Sequence, residues 1–134
     1  MEKATEELLK GYIKKAEKKL DAAQRFLKSE DYEDAVSRAY YAAYHVAQAL
    51  LLTEGQRAET HRGIVTLFGL LFVKTGKFSR NSGKHLSNLK DDRESGDYDV
   101  FSYIDKETAE TALIEAKEFL SEGKQYLEKI GVEL

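Results

Sequence analysis

The amino-acid sequence predicts an all-α protein, a five-helix up-and-down antiparallel bundle built from a single domain over residues 1–134. The chain of 134 residues contains no proline, the residue that most strongly interrupts helices. Its apolar residues recur at steps of three and four, which is the period of a helix with one buried face, and no segment alternates like a strand. Glycine, serine and aspartate separate these periodic segments, where caps and turns are expected.

The first helix is predicted over residues 3–28 and the second from Asp31 to Gly55. Asp31 is expected to cap the second helix at its N-terminus, and Gly55 to end it in a left-handed conformation. The alanines of the second helix allow a neighbouring helix to approach closely. The buried face of the first helix is expected to contain the residues Leu9, Ile13, Ala16, Leu20, Ala23 and Leu27.

The third helix is predicted from a cap at Thr60 to a stop at Gly76, and it is the most apolar stretch of the chain. The fourth helix is more polar, begins at Ser79 or Ser82, and is expected to end near Gly96.

A connection is predicted over Asp97–Tyr103, followed by a fifth helix capped by Asp105. Its apolar side chains are expected to pack against the bundle rather than face solvent. They are Tyr98, Val100, Phe101 and Tyr103.

Composition excludes several classes of function. The absence of cysteine rules out disulfides, thiolate zinc sites and a cysteine nucleophile. No apolar run is long enough to span a bilayer, and no leader sequence precedes the domain, so a cytoplasmic protein is expected. With 21 basic and 24 acidic residues the net charge is −3. Any contact with RNA is therefore expected in a local patch or cleft.

Arg38, Tyr41 and His45 stand at positions i, i+3 and i+7, which places them along one face of the second helix. A guanidinium, a phenol and an imidazole in this arrangement could hold a phosphate and move a proton. The alternative is structural: the tyrosines fill the core, Arg38 pairs with a carboxylate, and the His45 ring is satisfied inside the protein.

A second cluster lies at the end of the fourth helix, where Arg93 precedes Asp97 and Tyr98. It is either a helix-end salt bridge at i, i+4 or a polar turn used by a functional site. His61 stands at a predicted helix start, where the helix dipole favours an anion. His85 is expected to be solvated, and the spacing of the three histidines predicts no metal site.

The lysines of the first helix alternate with acidic residues, so that surface is expected to be a solvated face.

The segment from Asp31 to His45 resembles the second helix of HEPN domains, in the branch with the pattern Asp-Tyr-x-x-Ala-x-x-Arg-x-Tyr-Tyr-Ala. Further matching marks follow in the same order: His61 with Gly63, the run from Phe72 to Gly76, and Arg93 leading to Asp97-Tyr98-Asp99. The resemblance implies a five-helix bundle, frequent homodimers, and pairing with minimal nucleotidyltransferases in toxin–antitoxin modules. It also implies that some branches are metal-independent ribonucleases, with an arginine and a histidine separated by four to six residues.

Three hypotheses follow. The first, which we favour, is a homodimeric nucleotide- or RNA-phosphate-binding module that acts beside a nucleotidyltransferase and needs no cofactor. The second is a metal-independent endoribonuclease in which Arg93 or Arg38 contacts the scissile phosphate and His45 is the acid/base. The third is a structural dimeric bundle without a ligand, held in register by buried pairs such as Arg38–Asp97 or Arg93–Asp97. The binding residues of the first hypothesis are Arg38, Tyr41, His61, Arg93, Asp97 and Tyr98.

Overall fold

A computed structural model describes residues 1–101 and 103–134 and confirms the all-α bundle. Within this part of the chain there are five α-helices and no strand, and no helix has the length and apolar character needed to cross a membrane. A π-helical segment, Gly69–Val73, continues the third helix. The helices are α1 (Lys3–Lys28), α2 (Tyr32–Leu52), α3 (His61–Phe68), α4 (Arg80–Tyr98) and α5 (Lys106–Lys129).

Helix α2 is the centre of the bundle, because it packs against α1, α4 and α5. Its small side chains are fully buried, as the sequence predicted, and allow these three helices to approach. Gly123 of α5 makes one such approach: a Cβ atom at this position would lie 2.4 Å from Cγ1 of Val46. The buried alanines of α2 are Ala35, Ala39, Ala42, Ala43, Ala47 and Ala49.

The prediction of one regular helix from Thr60 to Gly76 is wrong in its second half. Thr60 does cap α3, because its side chain accepts a hydrogen bond from the Gly63 backbone N–H. After Phe68 the chain widens into the π-helical segment, and Phe72 stacks on Phe68 with ring centroids 5.5 Å apart. Gly76 then ends the segment with a φ of 79°, as expected.

Three further predicted capping residues agree with the structure, and one does not. The side chains of Ser79 and Asp105 accept hydrogen bonds from backbone N–H groups of their first turns, and Gly55 has the expected positive φ of 67°. Asp31 makes no side-chain cap. Its φ of −90° and ψ of 75° differ from the extended geometry of Ser79 and Asp105, and only its carbonyl bonds to Ala35 N–H.

The connection between α4 and α5 also differs from the prediction. Helix α4 extends past Gly96 to Tyr98, and the apolar side chains expected to pack are largely exposed. Val100 and Phe101 are 91% and 95% exposed. Among the residues of this connection that the structure describes, Ile104 reaches the core, and it lies close to Gly96.

His85 is buried rather than solvated. Its Nδ1 lies 3.1 Å from Oε2 of Glu115, and its Nε2 lies 2.8 Å from Oε2 of Glu118. Asn88 Nδ2 donates to the same Glu115 oxygen. The imidazole bridges the two carboxylates, so His85 links α4 to α5. No local pattern predicts this link, because Glu115 and Glu118 lie about thirty residues away on another helix.

Candidate functional site

Three tyrosines of α2 and one histidine of α3 form a compact aromatic group, which we call the tyrosine cluster: Tyr40, Tyr41, Tyr44 and His61. Neighbouring rings have centroids 5.2 to 6.1 Å apart, within the range of favourable edge and tilted contacts. Tyr40 is fully buried, and its hydroxyl lies 2.6 Å from Nδ1 of His61. This bond fixes the start of α3 against α2.

Arg93 of α4 is inserted against the tyrosine cluster and is only 4% exposed. Its guanidinium carbon lies 5.1 Å from the ring centroid of Tyr40, 5.6 Å from that of Tyr41 and 5.5 Å from that of Tyr98. Each of these distances fits a cation–π contact. Three aromatic faces therefore enclose the charge.

The guanidinium has more hydrogen-bond donors than the described residues have acceptors for it. Its Nη1 donates to Oδ2 of Asp97 at 3.3 Å, a long bond to a side chain that is 34% exposed. Its Nε is buried, and none of the described residues accepts a hydrogen bond from it. A guanidinium carries five N–H donors, and a buried donor without an acceptor costs free energy. Arg93 thus retains capacity for a further acceptor.

Tyr40 and His61, which lie beside Arg93, are uncharged near neutral pH. Burial raises the pKa of Tyr40 far above its usual range, so its hydroxyl stays protonated. Burial and, after it, the charge of Arg93 lower the pKa of His61. Burial opposes the charge of Arg93, but a hydrogen bond with Tyr98 and the nearby phenols raise its pKa overall. With Tyr40 donating to His61 Nδ1, the neutral ring carries its own proton on Nε2.

Five of the residues singled out in the sequence therefore meet at one site. Tyr41, His61, Arg93, Asp97 and Tyr98 come from α2, α3 and α4 and are joined by the contacts given above. The expected i, i+4 pair between Arg93 and Asp97 is confirmed.

His45 contacts the cluster from the side of α1. Its ring stacks on Tyr12 at 6.1 Å and lies 6.5 Å from the ring of Tyr41. It is 8% exposed, and burial, followed by the positive charges of Lys15 and Lys19, lowers its pKa to about 4. None of the described residues bonds to its Nδ1, contrary to the expectation that the ring would be satisfied inside the protein. His61, rather than His45, is the imidazole that contacts both Tyr40 and Tyr41, the two α2 tyrosines that Arg93 also contacts.

Arg38 does not join this site: of the three residues predicted along one face of α2, Tyr41 and His45 contact each other, whereas Arg38 contacts Phe26. Its guanidinium carbon lies 5.9 Å from the ring centroid of Phe26 on α1. It forms no ion pair with any described carboxylate, so the predicted Arg38–Asp97 pair is wrong.

The sequence-based candidates missed two parts of the site, the Tyr44 ring and the Tyr40 hydroxyl. Tyr44 lies four residues after Tyr40, and this helical spacing was the available signal. Among the described residues no group of three or more histidine and carboxylate side chains is placed to hold a metal ion.

Residues 9–126 of this chain match the family model of the HEPN domain. The chain belongs to the HEPN family.

Three relatives match nearly the whole chain. A candidate toxin of Methanocaldococcus jannaschii is 35% identical over 97% of this chain and 96% of its own length, and a second from that organism is 36% identical over 89% and 81%. A UPF0332 protein of Thermotoga maritima is 31% identical over 93% of this chain and 95% of its own. The crystal structure of TT1696 from Thermus thermophilus superposes with a TM-score of 0.77 over 89% of this chain and 98% of that one. At 23% identity, this likeness concerns the fold alone.

Proposed function

We propose that this HEPN protein binds the phosphate of a nucleotide or of RNA at Arg93 and acts as a toxin-like module. One observation carries the proposal: a buried guanidinium, enclosed by three tyrosine rings, keeps an Nε donor for which the described residues provide no acceptor. A phosphate oxygen is an acceptor that a guanidinium binds strongly and with two parallel bonds.

The surrounding groups support an anion rather than a cation as ligand. In this arrangement Arg93 supplies the charge, the Tyr98 hydroxyl is hydrogen-bonded to the guanidinium, and the neutral His61 ring contacts the same two tyrosines as Arg93. Asp97 holds the Nη1 side of the guanidinium and leaves the Nε side for the ligand. Tyr41 provides a ring face beside the charge.

The biological role proposed here rests on the relatives. Two of them, in Methanocaldococcus jannaschii, are named as candidate toxins. Together with the resemblance to HEPN domains, this supports a homodimeric toxin-like protein that is paired with a nucleotidyltransferase-fold partner in the cytoplasm.

A second candidate function is metal-independent cleavage of RNA. The observation that favours it is the placement of His61, a neutral imidazole that contacts the same two tyrosines as Arg93. In this scheme Arg93 would stabilise the phosphate, and His61 rather than His45 would transfer the proton. His61 is half-buried, whereas His45 is 8% exposed.

The test compares Arg93→Gln with Arg80→Gln, a matched change at an exposed arginine of the same helix. Calorimetric titration with AMP and with a short oligouridylate measures affinity, and urea unfolding measures the folded fraction. We expect Arg93→Gln to weaken binding by roughly tenfold to a hundredfold, since a hydrogen bond to a charged group contributes about 1.5–3 kcal/mol. We expect Arg80→Gln to have no effect. Equal affinity of folded Arg93→Gln and the wild type would refute the site.

Cleavage is tested separately with His61→Gln. If the protein is a ribonuclease, this variant loses cleavage of the oligouridylate but still binds it. A wild-type protein that binds but does not cut, after contaminating nucleases are removed, leaves the binding function and eliminates the enzyme.

A further inference from the structure

A groove of about 370 Å³ runs between α1 and α2 on a face that the Arg93 site does not use. Basic side chains dominate its lining, and no carboxylate is among the lining residues. Its cations are Lys15, Lys18, Lys19, Arg25 and Arg38, and Phe26 provides an aromatic surface. We call these six residues the basic groove.

The five cations of the basic groove are not neutralised within the described chain. None of them has a described carboxylate oxygen within 4 Å, although the sequence places acidic residues among them. Glu17 instead pairs with Lys124 of α5, and Asp21 lines a neighbouring groove that it shares with Arg25. The groove lined by Lys15, Lys18, Lys19 and Arg38 therefore concentrates positive charge on a protein whose net charge is −3.

The effect of this charge extends into the protein. His45 lies buried behind α1, and the charges of Lys15 and Lys19 add to burial in lowering its pKa. The buried ring therefore stays uncharged and adds no further cation to this face.

Arg38 and Phe26 form the flat part of the basic groove. The guanidinium lies over the ring at 5.9 Å, and both side chains are half-buried. An arginine held on an aromatic face can still bind a phosphate, and such planes are surfaces on which an unpaired base stacks. A double helix, with its bases paired, could not use this surface.

The spacing of the cations indicates the length of the ligand. Lys15 and Arg25 are ten positions apart on α1, about 15 Å at the helical rise of about 1.5 Å per residue. A strand whose bases stay stacked presents a phosphate about every 3.4 Å along its axis, so about four phosphates of a stacked single strand match this length, whereas a single phosphate would reach only one or two of the cations. We infer that the basic groove binds the backbone of a single-stranded nucleic acid.

This inference does not rest on the phosphate site at Arg93. The two sites use different residues and can be disabled separately, so the failure of one leaves the other testable. Together they would let one protein bind a strand along α1 and α2 and an additional phosphate at Arg93.

The experiment measures binding of a fluorescent oligouridylate by anisotropy over a series of KCl concentrations. The triple variant Lys15→Gln, Lys19→Gln and Arg38→Gln is compared with Lys74→Gln and Lys106→Gln, which alter exposed lysines elsewhere. With about four phosphates neutralised, the plot of log affinity against log salt has a slope near about −3, since each contributes about −0.7 for a single strand. Removing three cations should flatten the slope by about 2 and weaken binding at low salt by at least about tenfold.

Three outcomes would overturn the inference. The first is an unchanged salt slope in the folded triple variant, and the second is an equal change in the lysine control. The third is binding of polyaspartate as tight as that of the oligouridylate and lost in the same variant, which would assign the groove to an acidic polypeptide. Weaker binding by Arg93→Gln with an unchanged salt slope would confirm that the two sites act separately.

Discussion

Replacing Asp97 by Asn separates a ligand site at Arg93 from a purely structural one, because a ligand site predicts a change in phosphate affinity and a structural ion pair predicts a change in stability alone. The Arg93–Asp97 bond is long, at 3.3 Å, and the Asp97 side chain is 34% exposed. Pairs of this type contribute about 0.2–1 kcal/mol to stability, so Asp97→Asn should lower the free energy of unfolding by at most about 1 kcal/mol.

The same change should strengthen phosphate binding. A phosphate on the Nε side of the guanidinium would lie about 6 Å from the Asp97 carboxylate, where two like charges repel by about 0.7 kcal/mol in water and about 3 kcal/mol near a protein surface. Removing this repulsion should tighten AMP binding at least about threefold. Calorimetric titration at constant salt measures the affinity, and urea unfolding measures stability. Weaker binding in a stable Asp97→Asn protein would refute the arrangement proposed for the ligand.

Three further predictions concern the fold. Gly123→Ala should lower the free energy of unfolding by about 1–3 kcal/mol, because its Cβ would lie 2.4 Å from Cγ1 of Val46. Gly11→Ala, whose Cβ meets nothing within 4 Å, should raise it by about 0.5–1 kcal/mol, and urea unfolding that gives the two changes the same sign would contradict the packing. The pKa of His45 is lowered from 6.5 to about 4, so the unfolded state takes up the proton first as the pH falls, and the free energy of unfolding should decrease by about 3 kcal/mol between pH 6.5 and 4. His45→Phe should remove this part of the pH dependence, and a variant whose stability varies with pH as in the wild type would contradict it. His85→Ala should lower the free energy of unfolding by about 1–3 kcal/mol, because it removes a hydrogen-bond partner of the buried Glu115 carboxylate and leaves Asn88 as its described donor. A thermal midpoint equal to that of the wild type would show that the link adds no stability.

The helices could be predicted from the sequence because their signals are local. The three-and-four spacing placed Leu9, Ile13 and Ala16 on the buried face of α1, and Thr60 and Asp105 are caps in the structure as in the prediction. Each of these signals depends on residues within one or two helical turns.

The errors arose where distant residues decide the outcome. His85 looked solvated because its neighbours in the sequence are polar, but Glu115 and Glu118 reach it from α5. The apolar residues after α4 were expected in the core, yet Phe101 is 95% exposed, whereas Ile104, three residues later, is buried.

The candidate site was predictable as a set of residues but not as an arrangement. Arg93, Asp97 and Tyr98 are close in the sequence, and their grouping followed from helical spacing. The choice between His45 and His61 as the imidazole beside Arg93 depends on how α3 packs against α2, which no local pattern encodes. The contact between Arg38 and Phe26 likewise depends on the packing of α1 beside α2.

The most direct test of the central claim observes the Arg93 side chain itself. In a nitrogen-15 NMR titration with AMP, the Nε–H resonance of Arg93, assigned by its loss in Arg93→Lys, reports whether that donor gains an acceptor. We expect a saturable shift of this resonance, while the Nε–H resonance of exposed Arg80 stays unchanged. An Arg93 resonance that stays in place while AMP binds would contradict the claim that this buried arginine is the phosphate-binding group.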